Sequence, residues 1–146
     1  MSRREIVRFA MQERSESYGV ISISDVGATA PVIMRDGNGV DTVLHLFFDD
    51  VEKGAENCIT KQDAQKIVSF VKSLDKSIVN LIVQCEFGQS RSAGVAAAIS
   101  VMVNSDDKWV FEDGRYYINA TCYWETLCAI ELPIWKKIFD KLFTGK

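Results

Sequence analysis

The chain has 146 residues, of which 47% are hydrophobic and 25% charged, and its net charge is −3. Those values fit one soluble globular domain spanning 1–146, long enough to bury a core. The acidic balance argues against a nucleic-acid-coating surface or a binder of anionic membranes, no apolar run reaches membrane-spanning length, and four irregularly spaced cysteines without a secretory leader point to a reducing cytoplasm.

Met1 to Met11 reads as a short helix docked on the domain, with Arg3, Arg4 and Arg8 as solvated charges. Tyr18 to Ile23 reads as a buried strand, ended by a turn at Ser24-Asp25-Val26-Gly27. Val32 to Met34 suggests an edge strand, and Arg35-Asp36-Gly37-Asn38-Gly39 a turn. Asp41 to Phe48 is the next strand, with Val43, His45 and Phe47 on one face and Leu44, Leu46 and Phe48 on the other. Gly54 to Ile59 is loop. Thr60 to Leu74 is an amphipathic helix with Ala64, Ile67, Val68, Val71 and Leu74 inward, opened by a Thr60/Asp63 capping box.

Leu81 to Val83 is a short buried strand within Asn80–Gln84. Ser92 to Val103 reads as a helix that is apolar nearly all round and so buried, its small residues allowing close packing on the sheet. Asn104 to Arg115 reads as a surface loop. Asn119 to Glu131 reads as a helix with Trp124, Leu127 and Cys128 on one face, and Leu132-Pro133 starts another with Ile134, Trp135, Ile138 and Leu142 inward. Strands alternating with helices predict an α/β domain, a small, mainly parallel sheet with helices on both faces.

The stretch that carries chemistry is Gln84-Cys85-Glu86-Phe87-Gly88-Gln89-Ser90-Arg91-Ser92. A cysteine at a strand end, a small polar loop and a helix behind it make an anion site from backbone N–H groups and the helix N-terminus. The same field favours a thiolate at Cys85, a usable nucleophile at neutral pH. Arg91 offers a planar fork for two phosphate oxygens, Gly88 lets the loop turn its amides inward, and Ser92 can hydrogen-bond the sulfur. The loop Glu86, Phe87, Gly88, Gln89, Ser90 and Arg91 is the expected binding ring. Gly88-Gln89-Ser90-Arg91-Ser92 ends in serine, so it is not a serine-hydrolase elbow, and it lacks the lysine of a nucleotide P-loop.

Cys-x5-Arg followed by Ser resembles the signature of the cysteine-dependent protein phosphatases, and most closely their small dual-specificity branch of bacterial and phage type. Cys85, Gly88, Arg91 and Ser92 match the motif, whereas Gln84 stands where the family carries histidine. The resemblance runs over about residues 17 to 130. It implies a phosphomonoesterase with a phosphocysteine intermediate, acting on a phosphorylated protein or another phosphomonoester without metal or cofactor. The family places a general acid on a loop ahead of its cysteine, and Phe48-Asp49-Asp50-Val51 looks like that segment. Asp50 is the expected acid and Asp49 the second choice. Asn119 loosely matches an asparagine that opens a later helix, and Cys58 is a candidate to bridge Cys85 under oxidation. The competing readings are a phosphate-binding module without turnover, motivated by Gln84, and a protease pairing Cys85 with His45. His45, lying mid-strand between Leu44 and Leu46, reads better as a packed structural residue. Cys122 and Cys128 lack zinc-site spacing, and the single histidine argues against a metal centre.

Overall fold

A computed structural model describes residues 1–34, 39–78 and 80–130. They form a three-stranded parallel sheet and five helices: α1 (Arg3–Ala10), α2 (Lys61–Ser73), α3 (Arg91–Asn104), α4 (Lys108–Glu112) and α5 (Ala120–Ala129). β1 (Tyr18–Ser24) is central, with β2 (Val40–Phe47) and β3 (Asn80–Gln84) on either side of it. Every residue of β1 is buried, because it has a strand on each edge and a layer on each face. That is the environment a continuous apolar run requires.

α1 covers one face, where Ile6 packs on Val20 and Val40. The main core lies on the other, built from Ile21, Ile23, Leu46, Phe48, Ile67 and Val95 with α2, α3 and α5 around it. Each of these side chains contributes about 1.5–3 kcal/mol by leaving water. The Thr60/Asp63 capping box forms as the sequence suggests, and Ser2 with Glu5 makes a second one at α1. Asn119 caps α5, its Oδ1 accepting from Cys122 N at 2.9 Å. Each cap is worth about 1 kcal/mol.

Several expectations are corrected. Residues 32–34 form no strand; Val32 and Met34 are exposed and only Ile33 packs inward. Pro31 supplies no donor just ahead of them. The stretch read as a surface loop after α3 contains α4, anchored by Val110 against Ala93 and Ala97 and by Trp109 Nε1 donating to Ser100 Oγ at 3.3 Å. α5 turns Thr121, Cys122, Thr126 and Leu127 inward and leaves Trp124 and Cys128 outside. The reason is Gly94 of α3, where an added Cβ would lie 2.6 Å from Asn119 O and 3.1 Å from Cys122 Cβ. The small residues of α3 therefore bring α5 close, and no tryptophan fits between the two helices.

His45 is exposed rather than packed, lying outside the cluster that Ile6 forms with Val20 and Val40 on that face of the sheet. Arg3 is engaged rather than simply solvated, its Nη2 donating to Thr29 O at 2.7 Å. Of the turn expected at 35–39 only Gly39 is described, with φ of +77°; residues 35–38 and the helix expected from Leu132 lie outside the described residues.

Candidate active site

Because the strands are parallel, their carboxyl ends share one edge of the sheet. Asp25 follows β1, Asp49 and Asp50 follow β2, and Cys85 follows β3. Such an edge is where α/β folds gather functional groups.

The loop from Cys85 to Ser90 is held by its carbonyls. Glu86 O accepts from Arg3 N at 3.1 Å, Gln89 O from Tyr117 N at 3.0 Å, and Ser90 O from Asn119 N at 3.3 Å. With these oxygens engaged elsewhere, the amides of Ser92, Gly88 and Ser90 are left to favour the charged form of the Cys85 sulfur. Gly88 is required twice over. Its φ is +73°, and a Cβ there would sit 2.5 Å from the Met1 carbonyl carbon.

Cys85 is 2% exposed, and burial pushes its thiol pKa up. The Ser92 hydroxyl and the amides of Ser92, Gly88 and Ser90 outweigh that, so the pKa falls below the ordinary thiol value. As a thiol, Cys85 Sγ donates to Ser92 Oγ at 3.1 Å; as a thiolate it accepts from the same hydroxyl.

Arg91 opens α3 and is 3% exposed. Its Nη1 is held twice, donating to Phe48 O at 2.6 Å and pairing with Asp25 Oδ1 at 2.6 Å. Its Nε is buried and has no partner among the described residues. An orphaned guanidinium N–H is costly in a core, and an oxyanion beside it would satisfy it. Asp25 was not singled out by sequence. Its position directly after a strand, like that of Asp50, was the available signal.

Asp49 and Asp50 differ sharply. Asp49 accepts from Val26 N at 2.9 Å and Asn57 Nδ2 at 3.1 Å, tying two loops together. Asp50 turns to the cysteine loop, its Oδ1 accepting from Ser90 Oγ and Asn119 Nδ2, both at 2.8 Å. Its Oδ2 makes no hydrogen bond among the described residues. Asn119 thus links α5, the loop after β2 and the loop after β3.

The structure joins Cys85 to Ser92 and Asp50 to Ser90, sets the amides of Ser92, Gly88 and Ser90 to act on the Cys85 thiol, and holds the Arg91 guanidinium on Asp25 and Phe48 O. Glu86, Phe87 and Gln89 contribute backbone, and their side chains face outward: Glu86 lies 3.9 Å from Arg3, and Phe87 is 77% exposed. Gln84 and His45 both stand in register with Ser22, on the face of the sheet opposite Cys85. Gln84 Oε1 accepts from Ser22 Oγ at 2.8 Å, while its Nε2 is buried without a partner among the described residues. The sheet therefore separates His45 from the Cys85 thiol, which removes the protease pair. Cys58 is a free thiol at the core margin, donating to Ile59 O at 3.3 Å.

A cavity of about 460 Å³ lies between β3 and α3, lined by Leu81, Val83, Ile99 and Trp109, and touches Gly88 and Ser92. The polar groups converge at the carboxyl edge instead, and geometry outweighs cavity size in locating the chemistry. Among the described residues no cluster of His, Cys, Asp or Glu could hold a metal ion, and no helix is long and apolar enough to cross a membrane. No protein-family model matches the chain, and no curated protein matches it.

Proposed function

We propose that the protein is a cysteine-dependent phosphomonoesterase. The observation that carries this reading is the 3.1 Å hydrogen bond between Cys85 and Ser92 at the start of α3, beside a buried and unpartnered Arg91 Nε; the amides of Ser92, Gly88 and Ser90 add to the lowering of the thiol pKa. A phosphoryl group seated there would have its equatorial oxygens on those amides and on the Arg91 fork.

The Cys85 thiolate attacks phosphorus and the P–O bond to the leaving group breaks. Asp50, in its acid form, passes its proton to the departing oxygen. Water then attacks the phosphocysteine, its proton goes to Asp50, and inorganic phosphate and the thiolate are released. Asp50 suits the role because it faces the loop while Asp49 is occupied between two other loops. Ser92 stabilises the thiolate as a leaving group in the second step. No step calls for a metal. A reducing, cytoplasmic setting belongs to the proposal, because the nucleophile must remain a thiol.

The test is hydrolysis of para-nitrophenyl phosphate under reducing conditions by the wild type, Cys85→Ser and Asp50→Asn. The expected result is turnover that vanishes in Cys85→Ser and falls about a hundredfold in Asp50→Asn, the ordinary worth of a general acid. Turnover unaffected by Cys85→Ser overturns the proposal. Vanadate binding without turnover by the wild type makes the protein a phosphate-binding module instead.

A further inference from the structure

Resting on that reading, we infer that Met1, Ser2 and Arg3 are positioning residues for the reaction: they form a backbone strap along the outer edge of β3 that fixes the start of the Cys85 loop. Among the described residues β3 has β1 on one side only, so the backbone groups of its other edge need partners. Ser2 bridges Cys85 there in the parallel sense. Met1 N donates to Val83 O at 3.1 Å, Cys85 N donates to Met1 O at 3.2 Å, and Arg3 N donates to Glu86 O at 3.1 Å. The strap therefore holds the backbone on both sides of the thiol. It also closes on Gly88, where an added Cβ would lie 2.5 Å from Ser2 N. The far end of the loop is held separately, Gln89 O by Tyr117 N and Ser90 O by Asn119 N.

The strap is itself anchored. Ser2 and Glu5 cap α1 reciprocally, and the fully buried Ile6 packs on Val20 and Val40, with Met1 against the same cluster. The Arg3 side chain reaches another loop, its Nη2 donating to Thr29 O at 2.7 Å in the segment that begins with Asp25, the partner of Arg91. Arg3 is thus joined by its backbone to the loop that carries the nucleophile and by its side chain to the segment that holds the arginine. Hydrogen-bond donors favour a thiolate only over a narrow range of distance and angle. Releasing Glu86 O lets the start of the loop swing and weakens the help that the amides of Ser92, Gly88 and Ser90 give to the charged form of Cys85. The strap also brings a cation: burial lowers the pKa of the Met1 amino group, and the charges of Cys85 and Glu5 work against that.

Arg3 is the first residue of α1, a position that suits proline because its N–H lies outside the helix's own bonds, and Ser2 before it is already extended, with ψ of 165°. Arg3→Pro therefore removes the bond to Glu86 O at little cost to α1. Arg3→Ala, which loses the side chain but keeps the N–H, is its reference, and both leave the Met1 amino group in place. Thiolate absorbance, read against the Cys85→Ser form of each variant, gives the pH at which Cys85 ionises. That midpoint should be about one pH unit higher in Arg3→Pro than in Arg3→Ala, and kcat/KM for para-nitrophenyl phosphate below the midpoint should be about tenfold lower. Equal midpoints in the two variants overturn the inference, whatever their turnover. If Arg3→Pro does not fold, Ser2→Gly takes its place, since it frees the backbone of the strap at little cost to the cap. A midpoint above that of the wild type then upholds the inference, and an unchanged one overturns it. If the wild type does not hydrolyse nitrophenyl phosphate, the phosphatase reading falls, and the midpoints, which need no turnover, still decide whether the strap sets the thiol.

Discussion

The end of β3 and the first turn of α5 each bury a cysteine in the same core cluster, Cys85 and Cys122. Both are almost fully buried, Cys122 within the first turn of α5 and Cys85 bonded to Ser92 in the first turn of α3. Their thiols nevertheless move in opposite directions. Cys85 falls below the ordinary thiol value because loop amides and a hydroxyl reach its sulfur. Cys122 is driven far above that value, by burial first and then by the charge of Asp50, with Arg91 offsetting only part. Its own amide is spent on the Asn119 cap. Burial beside a helix terminus therefore does not by itself lower a thiol pKa; hydrogen-bond donors that favour the thiolate do.

The largest expected difference between the two is in turnover. Cys85→Ser should abolish hydrolysis of para-nitrophenyl phosphate by on the order of a thousandfold or more, whereas Cys122→Ser should retain most of it. Equal losses in the two variants would erase the contrast.

Gly94→Ala attacks the seam that keeps the two regions in register. Its Cβ would press on Asn119 O at 2.6 Å, and overpacking of that kind costs about 1–3 kcal/mol. Urea unfolding measures that loss. Turnover should fall as well, because Asn119 positions Asp50.

Alkaline stability should separate the thiols next. Cys122 keeps its proton in the folded protein and releases it in the unfolded chain. Its stabilising contribution is complete below the ordinary thiol pKa and is lost as pH rises above it, by about 1.4 kcal/mol per pH unit for one proton. Cys85, lowered on folding, contributes with the opposite sign, its share growing as pH rises from the folded value to the ordinary one. Unfolding midpoints between pH 8 and pH 10 should thus decline less steeply in Cys122→Ala than in the wild type. The smallest effect is expected from Ser92→Ala. It removes one donor of several, so the thiolate absorbance of Cys85 should titrate at higher pH than in the wild type, while folding is retained.

Much of this was legible in the chain. The strand of Tyr18 to Ile23, the alternation in β2, the Thr60/Asp63 box and the hydrogen bond between Cys85 and Ser92 are all readable from short stretches of chain. The failures share a cause. α4 exists because Val110 finds Ala93 and Ala97 across a turn, and α5 presents Cys122 rather than Trp124 because Gly94 stands opposite it. Neither fact is written in the local pattern of the segment concerned.

The sequence by itself determined the alternation of strands and helices, the burial of β1 and the cysteine loop with its arginine, since hydrophobic periodicity, capping and loop chemistry act over a few residues. Only the tertiary structure decided which of two adjacent aspartates faces that loop, that Asp25 holds Arg91, and that Gln84 lies across the sheet from the thiol it precedes. Those outcomes depend on partners 23 to 69 residues away along the chain. A side chain's direction there is set by the hydrogen bonds that distant backbone and side-chain groups must complete.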